Sequence, residues 1–351
     1  MQYSTNVRKK DGGYQYIITY KQNGKWKTKS KQGFKKSSEA KDHMVQVIKE
    51  LEKVVDSGVK TESVTLQEFY EEYKNHAKLY KSPATMLSFN SAYKAYNLPN
   101  KELNKITHMD IQRSLDELIR ENRVKLSTIK KYSKVMQTFF NCAIKDYKLI
   151  SKNPFEDITF PKEKTEITRK ALDNNTLNKL LGDLRNNNYY LVLLIASKCG
   201  LRLGEIVGLT WDNIDMKNRT FKIVQQWNLI DSNGSYGFCS LKSKNSNRVV
   251  PFPITVYNEL KKINIRYVDN RLFNYKNTNS VSNMINRYLK PYGISVHELR
   301  HTYATMLIQN GVDFKTAAAL LGHDVEMTMK IYSHVNNDMM KKATTIIDSI
   351  F

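Results

Sequence analysis

The sequence predicts a multidomain chain with three parts. A small basic β-sheet-plus-helix N-terminal module comes first, an all-α helical unit second, and a mixed, mainly α unit with a small antiparallel sheet last. Three observations carry this. The chain has 351 residues, more than one compact domain usually holds. Two stretches, VVDSGVKTES (54–63) and KNPFEDITFPKEKTEI (152–167), have the composition of linkers. The apolar pattern between them is helical throughout, whereas strand-like runs occur on either side. The expected boundaries are 1–58, 64–155 and 168–351.

The N-terminal module is the most one-sided in charge. Residues 1–36 hold ten Lys or Arg and a single acid, Asp11. GYQYIITY (13–20) is rich in aromatic and β-branched residues, and KQNGKWKTKS (21–30) follows it through Asn23-Gly24. That dipeptide between two such runs is a hairpin signal. A helix follows in GFKKSSEAKDHMVQVIKELEKVV, with Ser38 as its cap and Ala40, Met44, Val47, Ile48 and Leu51 on one face. Lysines alternate with Tyr14, Tyr16, Tyr20 and Trp26 on strands that suit a nucleic-acid groove.

Four helices are expected next: LQEFYEEYKNHAKLY, PATMLSFNSAYKAYNL, THMDIQRSLDELIREN and LSTIKKYSKVMQTFFNCAIKDYKLI. Asp110 and Ser127 are capping candidates. Such a unit fits a DNA clamp or an ordinary bundle, and the shared surface of Lys130, Lys131 and Lys134 favours the clamp. In the last unit, LVLLIASKCGLRLGEIVGL reads as a buried helix, a break at Gly200 and a second helical turn. RTFKIVQQWNLI and GFCSLKSKNSNRVVPF read as strands, the latter with a polar turn inside, and further helices follow.

Composition narrows the function. Hydrophobic residues make up 40% of the chain, which excludes a disordered one. The formal net charge of +22 and pI near 9.6 call for a polyanionic partner, nucleic acid or an acidic membrane surface. The longest apolar run, 189–196, falls well short of the ~20 residues of a membrane helix. The opening MQYSTNVRKK has no apolar block of the secretory kind. Cys142, Cys199 and Cys239 are odd in number and widely spaced, so disulfides and Cys-based zinc sites are not expected and a reducing cytosol is.

His297, Glu298 and His301 form a literal HExxH. On a helix the two histidines share a side and could hold zinc. The extended zinc-peptidase pattern does not continue in TYATMLIQNG, and a +22 chain is unsuited to that role. A second constellation uses His297 differently. GLRLGE (200–205), LKSKNSNR (241–248), HELRH (297–301) and LLGH followed by IYSH (320–334) offer arginines, lysines, histidines and a tyrosine. Arginine gives planar bidentate donors to phosphate oxygens. Two arginines neutralise charge on a pentacoordinate phosphorus without a metal. A tyrosine oxygen can displace an alcohol from phosphorus, and a lysine or histidine can protonate the departing oxygen. The set suits reversible phosphodiester transfer. Hydrolysis would rather recruit paired carboxylates and Mg²⁺.

These boxes, in this order, resemble those of the tyrosine recombinases, more narrowly the integrases of temperate phages and conjugative transposons. The resemblance spans almost the whole chain. It implies an arm-type DNA-binding domain, a SAM-like helical core-binding domain and the catalytic fold shared with type IB topoisomerases. Arg202 matches the first catalytic arginine. His297 and Arg300 match the His and Arg of the H-x-x-R box. His323 matches a position held by His or Trp, and Tyr332, nine residues on, matches the nucleophile. The catalytic lysine belongs on a β-hairpin turn, where Lys242 fits best. Lys244, two residues on and expected on the same strand face, is the other candidate. Glu205 matches a supporting acid. Asp324 is placed to cap the helix carrying Tyr332, and His301 and His334 read as structural or surface groups.

The resemblance implies a site-specific recombinase that cuts and rejoins duplex DNA through a 3′-phosphotyrosine, with no metal, ATP or other cofactor. The implied partners are core and arm attachment sites, a homotetramer passing through a Holliday junction, an excision factor and a host DNA-bending protein, with no membrane. Met340, Ala343, Ile347 and Ile350 of the C-terminal segment share a face that packs on its own core or docks on a neighbouring subunit. A type IB topoisomerase and a DNA-binding regulator without catalysis are the competing functions.

Overall fold

Three antiparallel strands open the chain, β1 (Tyr3–Lys10), β2 (Gly13–Gln22) and β3 (Lys25–Phe34), in the order β1-β2-β3. The computed structural model describes residues 2–22, 25–56, 63–162, 171–241, 244–332 and 347. It divides into two compact units, Met1–Lys162 and Glu163–Phe351. Asp11 and Gly12 join β1 to β2, both at positive φ (53° and 79°), as a two-residue primed turn requires. The Asn23-Gly24 turn lies outside the described residues, although Gln22 and Lys25 pair on either side of it.

Helix α1 (Ser37–Asp56) covers one face of this sheet. Val47, Ile48 and Leu51 bury against Tyr16, Ile18 and Tyr20, with Met44 partly buried beside them. Side chains alternate along a strand, so the register sends Asn6, Arg8, Gln15, Lys21 and Trp26 to the opposite face. Two expectations change here. Tyr16 and Tyr20 are core residues and not groove contacts, because they fill the space under α1, whereas Trp26 is 60% exposed. Ser38 sits inside the first turn of α1, which already begins at Ser37.

The helices of the same unit are α2 (Leu66–Tyr80), α3 (Pro83–Tyr96), α4 (His108–Glu121) and α5 (Leu126–Lys145). Thr65 caps α2 in a capping box with Glu68, and Ser82 caps α3 ahead of Pro83. Thr107 caps α4, with Asp110 as the third residue of the box and not the cap itself. Ser127 falls in the first turn of α5, whose cap position is Lys125. Phe69, Phe89, Phe139 and Phe140 form an aromatic core. Half of the expected second linker belongs to it. Phe155 is buried, and Ile158 and Phe160 pack against the same cluster. Asn153 makes the junction, donating to the Gln137 carbonyl at 2.9 Å and accepting from the Phe155 N–H at 2.9 Å. Lys131 and Lys134 are exposed, while Lys130 stacks over the Phe160 ring at 5.9 Å.

In the second unit, α6 (Asn174–Asp183), α7 (Tyr190–Cys199) and α8 (Leu203–Val207) precede the strands. These are β4 (Ile214–Asp215), β5 (Thr220–Ile223), β6 (Gln226–Leu229), β7 (Tyr236–Cys239) and β8 (Arg248–Pro251). Helices α9 (Ile254–Lys261), α10 (Thr278–Leu289), α11 (Val296–Gln309), α12 (Phe314–Leu321) and α13 (Val325–Tyr332) follow. The core centres on α7, whose Val192, Leu193 and Ile195 are fully buried. Strands form two sheets, β4-β5-β8 and β6-β7. RTFKIVQQWNLI is therefore two strands in different sheets, and β7 and β8 are not partners. The strands that flank Lys242 and Lys244 in the chain belong to different sheets, so the expected β-hairpin between them is not formed. Close packing explains the split, since a Cβ on Gly208 after α8 would lie 2.7 Å from the Trp227 nitrogen of β6. Among the described residues no helix is long and apolar enough to cross a membrane.

Candidate active site

The site is built on the C-terminal end of α12. Gly322, at φ 61°, closes the helix: its N–H returns to the Ala319 carbonyl at 3.2 Å and that of His323 to Ala318 at 3.0 Å. The next three carbonyls are each taken by a different arginine. Leu320 accepts from Arg248 Nε at 2.7 Å, Leu321 from Arg300 Nη2, and Gly322 from Arg202 Nη2 at 3.2 Å. A helix C-terminus is the negative end of its dipole and favours cations there. The order of the chain thus gathers guanidinium groups from α8, β8 and α11 around one turn.

Each arginine is held from its own side. Arg202 caps α8, its backbone N–H donating to Glu205 Oε2 at 2.9 Å and its Nη1 to Oε1 at 2.8 Å. It remains 32% exposed at the side chain. Arg300 is buried on α11, with Nη1 donating to the Gly200 carbonyl at 2.6 Å. Gly200 ends α7 at φ 66°, and a Cβ there would overlap the Tyr303 ring. Burial, with Cys199 nearby, pushes the Tyr303 hydroxyl up to about 12. Arg248 grips Glu205 with two nitrogens, Nη1 to Oε1 at 3.1 Å and Nη2 to Oε2 at 2.8 Å. Burial raises the Glu205 pKa, but the Arg248 hydrogen bonds and charge, with those of Arg202, outweigh it and hold the carboxyl below its usual range.

His323 follows the turn and meets Arg300 Nη2 with Nε2 at 2.9 Å. Burial first, then Arg300, Arg202, Arg248 and His297, pushes its pKa down to about 4. It is neutral at pH 7. His297 is exposed in the first turn of α11. The HExxH arrangement is not set up for zinc, because Glu298 accepts from the Ser295 N–H at 2.5 Å as the capping-box acid and His301 is buried while His297 is exposed.

Arg202, Arg300 and His323 are therefore brought together, and His297 lies in the first turn of α11, the helix that carries Arg300. Tyr332 is the last residue of α13, and its side chain lies outside the described residues, as does Lys242. Lys244 opens a 3₁₀ turn (Lys244–Ser246), so the argument from alternating strand faces does not apply to it. Asp324 stands at the cap position of α13, its carbonyl accepting from the Thr328 N–H at 3.1 Å, but its carboxylate takes Asn245 Nδ2 at 2.6 Å. His334 and the C-terminal segment lie outside the described residues apart from Ile347. Arg248 joins the same cluster and was not singled out from the sequence. Its signal was its place two residues before Val250 on a short strand, an inward position where a charge needs a partner.

Among the described residues one group could hold a metal ion, His76, Cys142 and Asp146 in the helical unit, with ligand atoms within 4.8 Å of one another. Burial, with Asp146 beside it, pushes the Cys142 thiol up to about 12, so it keeps its proton and is a poor ligand.

Three family profiles match in series. The arm DNA-binding domain matches residues 6–51, the phage integrase N-terminal SAM-like domain 65–119, and the phage integrase family 170–339. Together with the fold they define the class, a DNA strand-transfer enzyme. The chain belongs to the tyrosine recombinases, of the phage and transposon integrase type. A tyrosine recombinase XerC-like protein of Caldanaerobacter subterraneus subsp. tengcongensis is 28% identical over 316 residues, 78% of this chain and 80% of that protein. The transposase of transposon Tn916 from Enterococcus faecalis is 29% identical over 251 residues, 62% of this chain and 61% of the transposase. In fold, the chain is similar to the Tn1549 transposon integrase in complex with a circular intermediate DNA (TM-score 0.66, 21% identity, 80% of this chain and 100% of that one). It is also similar to a lambda integrase tetramer bound to a Holliday junction (TM-score 0.54, 20% identity, 92% of this chain and 94% of that one).

Proposed function

We propose that this chain is a site-specific DNA integrase that joins a mobile element to a target and excises it again. The observation that carries the proposal is the convergence of Arg202, Arg300 and His323 on the turn leading into α13, the helix that ends in Tyr332. Arg202 and Arg300 hold the scissile phosphate, and His297 and His323 donate to its oxygens. The Tyr332 oxygen attacks phosphorus, the bond to the 5′-oxygen breaks, and a 3′-phosphotyrosine forms. Lys242 gives its proton to the departing 5′-oxygen, and the tyrosine proton passes to His297. The 5′-hydroxyl of a partner strand then reverses the step, so the ester conserves the bond energy and no ATP enters.

The division of labour is residues 1–58 for arm sites, 64–155 for core sites and 168–351 for catalysis. Four copies act together on two duplexes in the bacterial cytosol, with an excision factor and a host bending protein setting direction. The sheet face turned away from α1, with Asn6, Arg8 and Trp26 exposed on it, supports the first assignment, because such groups suit base edges in a major groove. A second reading DNA module beside a strand-transfer domain favours a recombinase over a topoisomerase.

A nicked duplex half-site, selected for binding from a random pool, tests the reading. The wild-type chain should form a covalent protein–DNA adduct that survives denaturation, and Tyr332→Phe should form none while binding as tightly. Tight binding with no adduct from the wild type points to a non-catalytic regulator instead.

A further inference from the structure

We infer that Arg248 is a positioning residue that fixes Arg202 for the scissile phosphate, acting through Glu205. The inference rests on the integrase reading above and extends it to a residue that touches no substrate. Arg248 is buried, with its side chain 5% exposed, and four of its five guanidinium N–H groups are spent inside the protein. Nε holds the Leu320 carbonyl, Nη1 holds Glu205 Oε1 and the Ser246 carbonyl at 3.0 Å, and Nη2 holds Glu205 Oε2. It has no free face for DNA. Arg202 differs in kind, since its side chain is one-third exposed and its bonds to Glu205 and Gly322 leave donors for a ligand.

The chain Arg248–Glu205–Arg202 is continuous. One carboxylate oxygen, Oε1, accepts from both guanidinium groups, at 3.1 Å from Arg248 and 2.8 Å from Arg202. At its other end Arg248 takes the first of the three consecutive carbonyls whose third is held by Arg202. A bidentate carboxylate pair of this geometry fixes direction as well as distance, which a lysine cannot reproduce. Gly322 completes the joint, since a Cβ there would press on Arg248 Nη1 at 3.1 Å. Moving Arg248 therefore moves both the group that orients Arg202 and the turn that carries His323.

The test separates aiming from folding by changing the charge of the phosphate. Full-length Arg248→Lys and Glu205→Asp are assayed for single-turnover cleavage of the half-site, once with the natural scissile phosphodiester and once with a neutral methylphosphonate in its place. Aiming of Arg202 matters most where charge must be neutralised, and a misplacement of about 1 Å costs on the order of 10²-fold. The expected result is a loss of about that size on the phosphodiester, shrinking to within a few-fold on the methylphosphonate, with DNA affinity unchanged and Arg202→Ala behaving the same way. Equal losses on both substrates, wild-type cleavage by both variants, or failure of both to fold would each overturn the inference, leaving Arg248 a packing residue. Absence of an adduct with the wild type would instead sink the integrase reading.

Discussion

Arg300 Nη2 lies 2.9 Å from His323 Nε2, and this contact settles the state of the histidine. A guanidinium has donors only, so Nε2 accepts and the ring proton sits on Nδ1. Among the described residues Nδ1 is buried and has no hydrogen-bond partner. Burial first, and then the three nearby arginines, make the imidazolium form costly and keep the ring neutral at physiological pH.

The first prediction concerns acid stability. His323 titrates at about 4 in the folded chain, against ~6.5 when unfolded. Between those values the unfolded chain binds more protons, so stability rises with pH across the window. The contribution is complete above the unfolded value and is lost as pH falls toward the folded one. Urea midpoints measured from pH 7.5 down to 4.5 should fall less steeply in His323→Gln than in the wild type. Parallel curves would remove His323 as the source.

A second prediction uses two glycines at positive φ. Gly200→Ala places a methyl in the left-handed region, costing about 1–2 kcal/mol, and drives it into the Tyr303 ring, adding about 1–3 kcal/mol of overpacking. Gly311→Ala also sits at positive φ (88°) but has nothing within 4 Å of its new Cβ, so only the backbone cost applies. Denaturant titration should rank Gly200→Ala below Gly311→Ala. Cleavage should fall only in Gly200→Ala, because the Gly200 carbonyl anchors Arg300. Equal stability of the two variants would show that the ring yields freely.

The lysine assignment can be decided by leaving-group chemistry. A 5′-bridging sulfur departs as a thiolate and needs no proton. Lys242→Ala should slow cleavage of ordinary DNA by roughly 10²–10⁴-fold, the usual worth of a general acid, and cleave the sulfur-bridged strand near the wild-type rate. Lys244→Ala should change both substrates alike. The reverse pattern transfers the role to Lys244.

The sequence showed most of the fold where local physics decides. The α1 face and the four central helices follow from spacing, because burial of one stripe is a local pattern. The caps slipped, since Thr107 and Asp110 share one box and only coordinates tell cap from third residue. The strands of the last unit were harder. Each is four residues or fewer, and their division into two sheets depends on how α8 packs on β6, a long-range fact. Arg202, Arg300 and His323 were legible through their motifs. Arg248 was not, because in a chain with 56 Lys and Arg one more arginine carries no mark of its own until its carboxylate partner is seen.

The last prediction separates two kinds of basic residue on the N-terminal sheet. Register places Arg8 opposite Gln15, and Arg8 Nε donates to Gln15 Oε1 at 3.1 Å, on the face turned away from α1. Lys29 pairs with Ile18, which is buried under α1, so it belongs to the other face. A groove-reading sheet would use Arg8 for base edges and Lys29, if at all, for phosphates. Arg8→Ala should therefore cost about 1–3 kcal/mol of discrimination between the selected arm site and random duplex. Lys29→Ala should weaken both alike and lower the slope of log affinity against log salt by about 0.9 per lost phosphate contact. Fluorescence anisotropy across a salt series reads both quantities. If Arg8→Ala weakens every duplex equally, the outward face binds backbone only and sequence is read elsewhere.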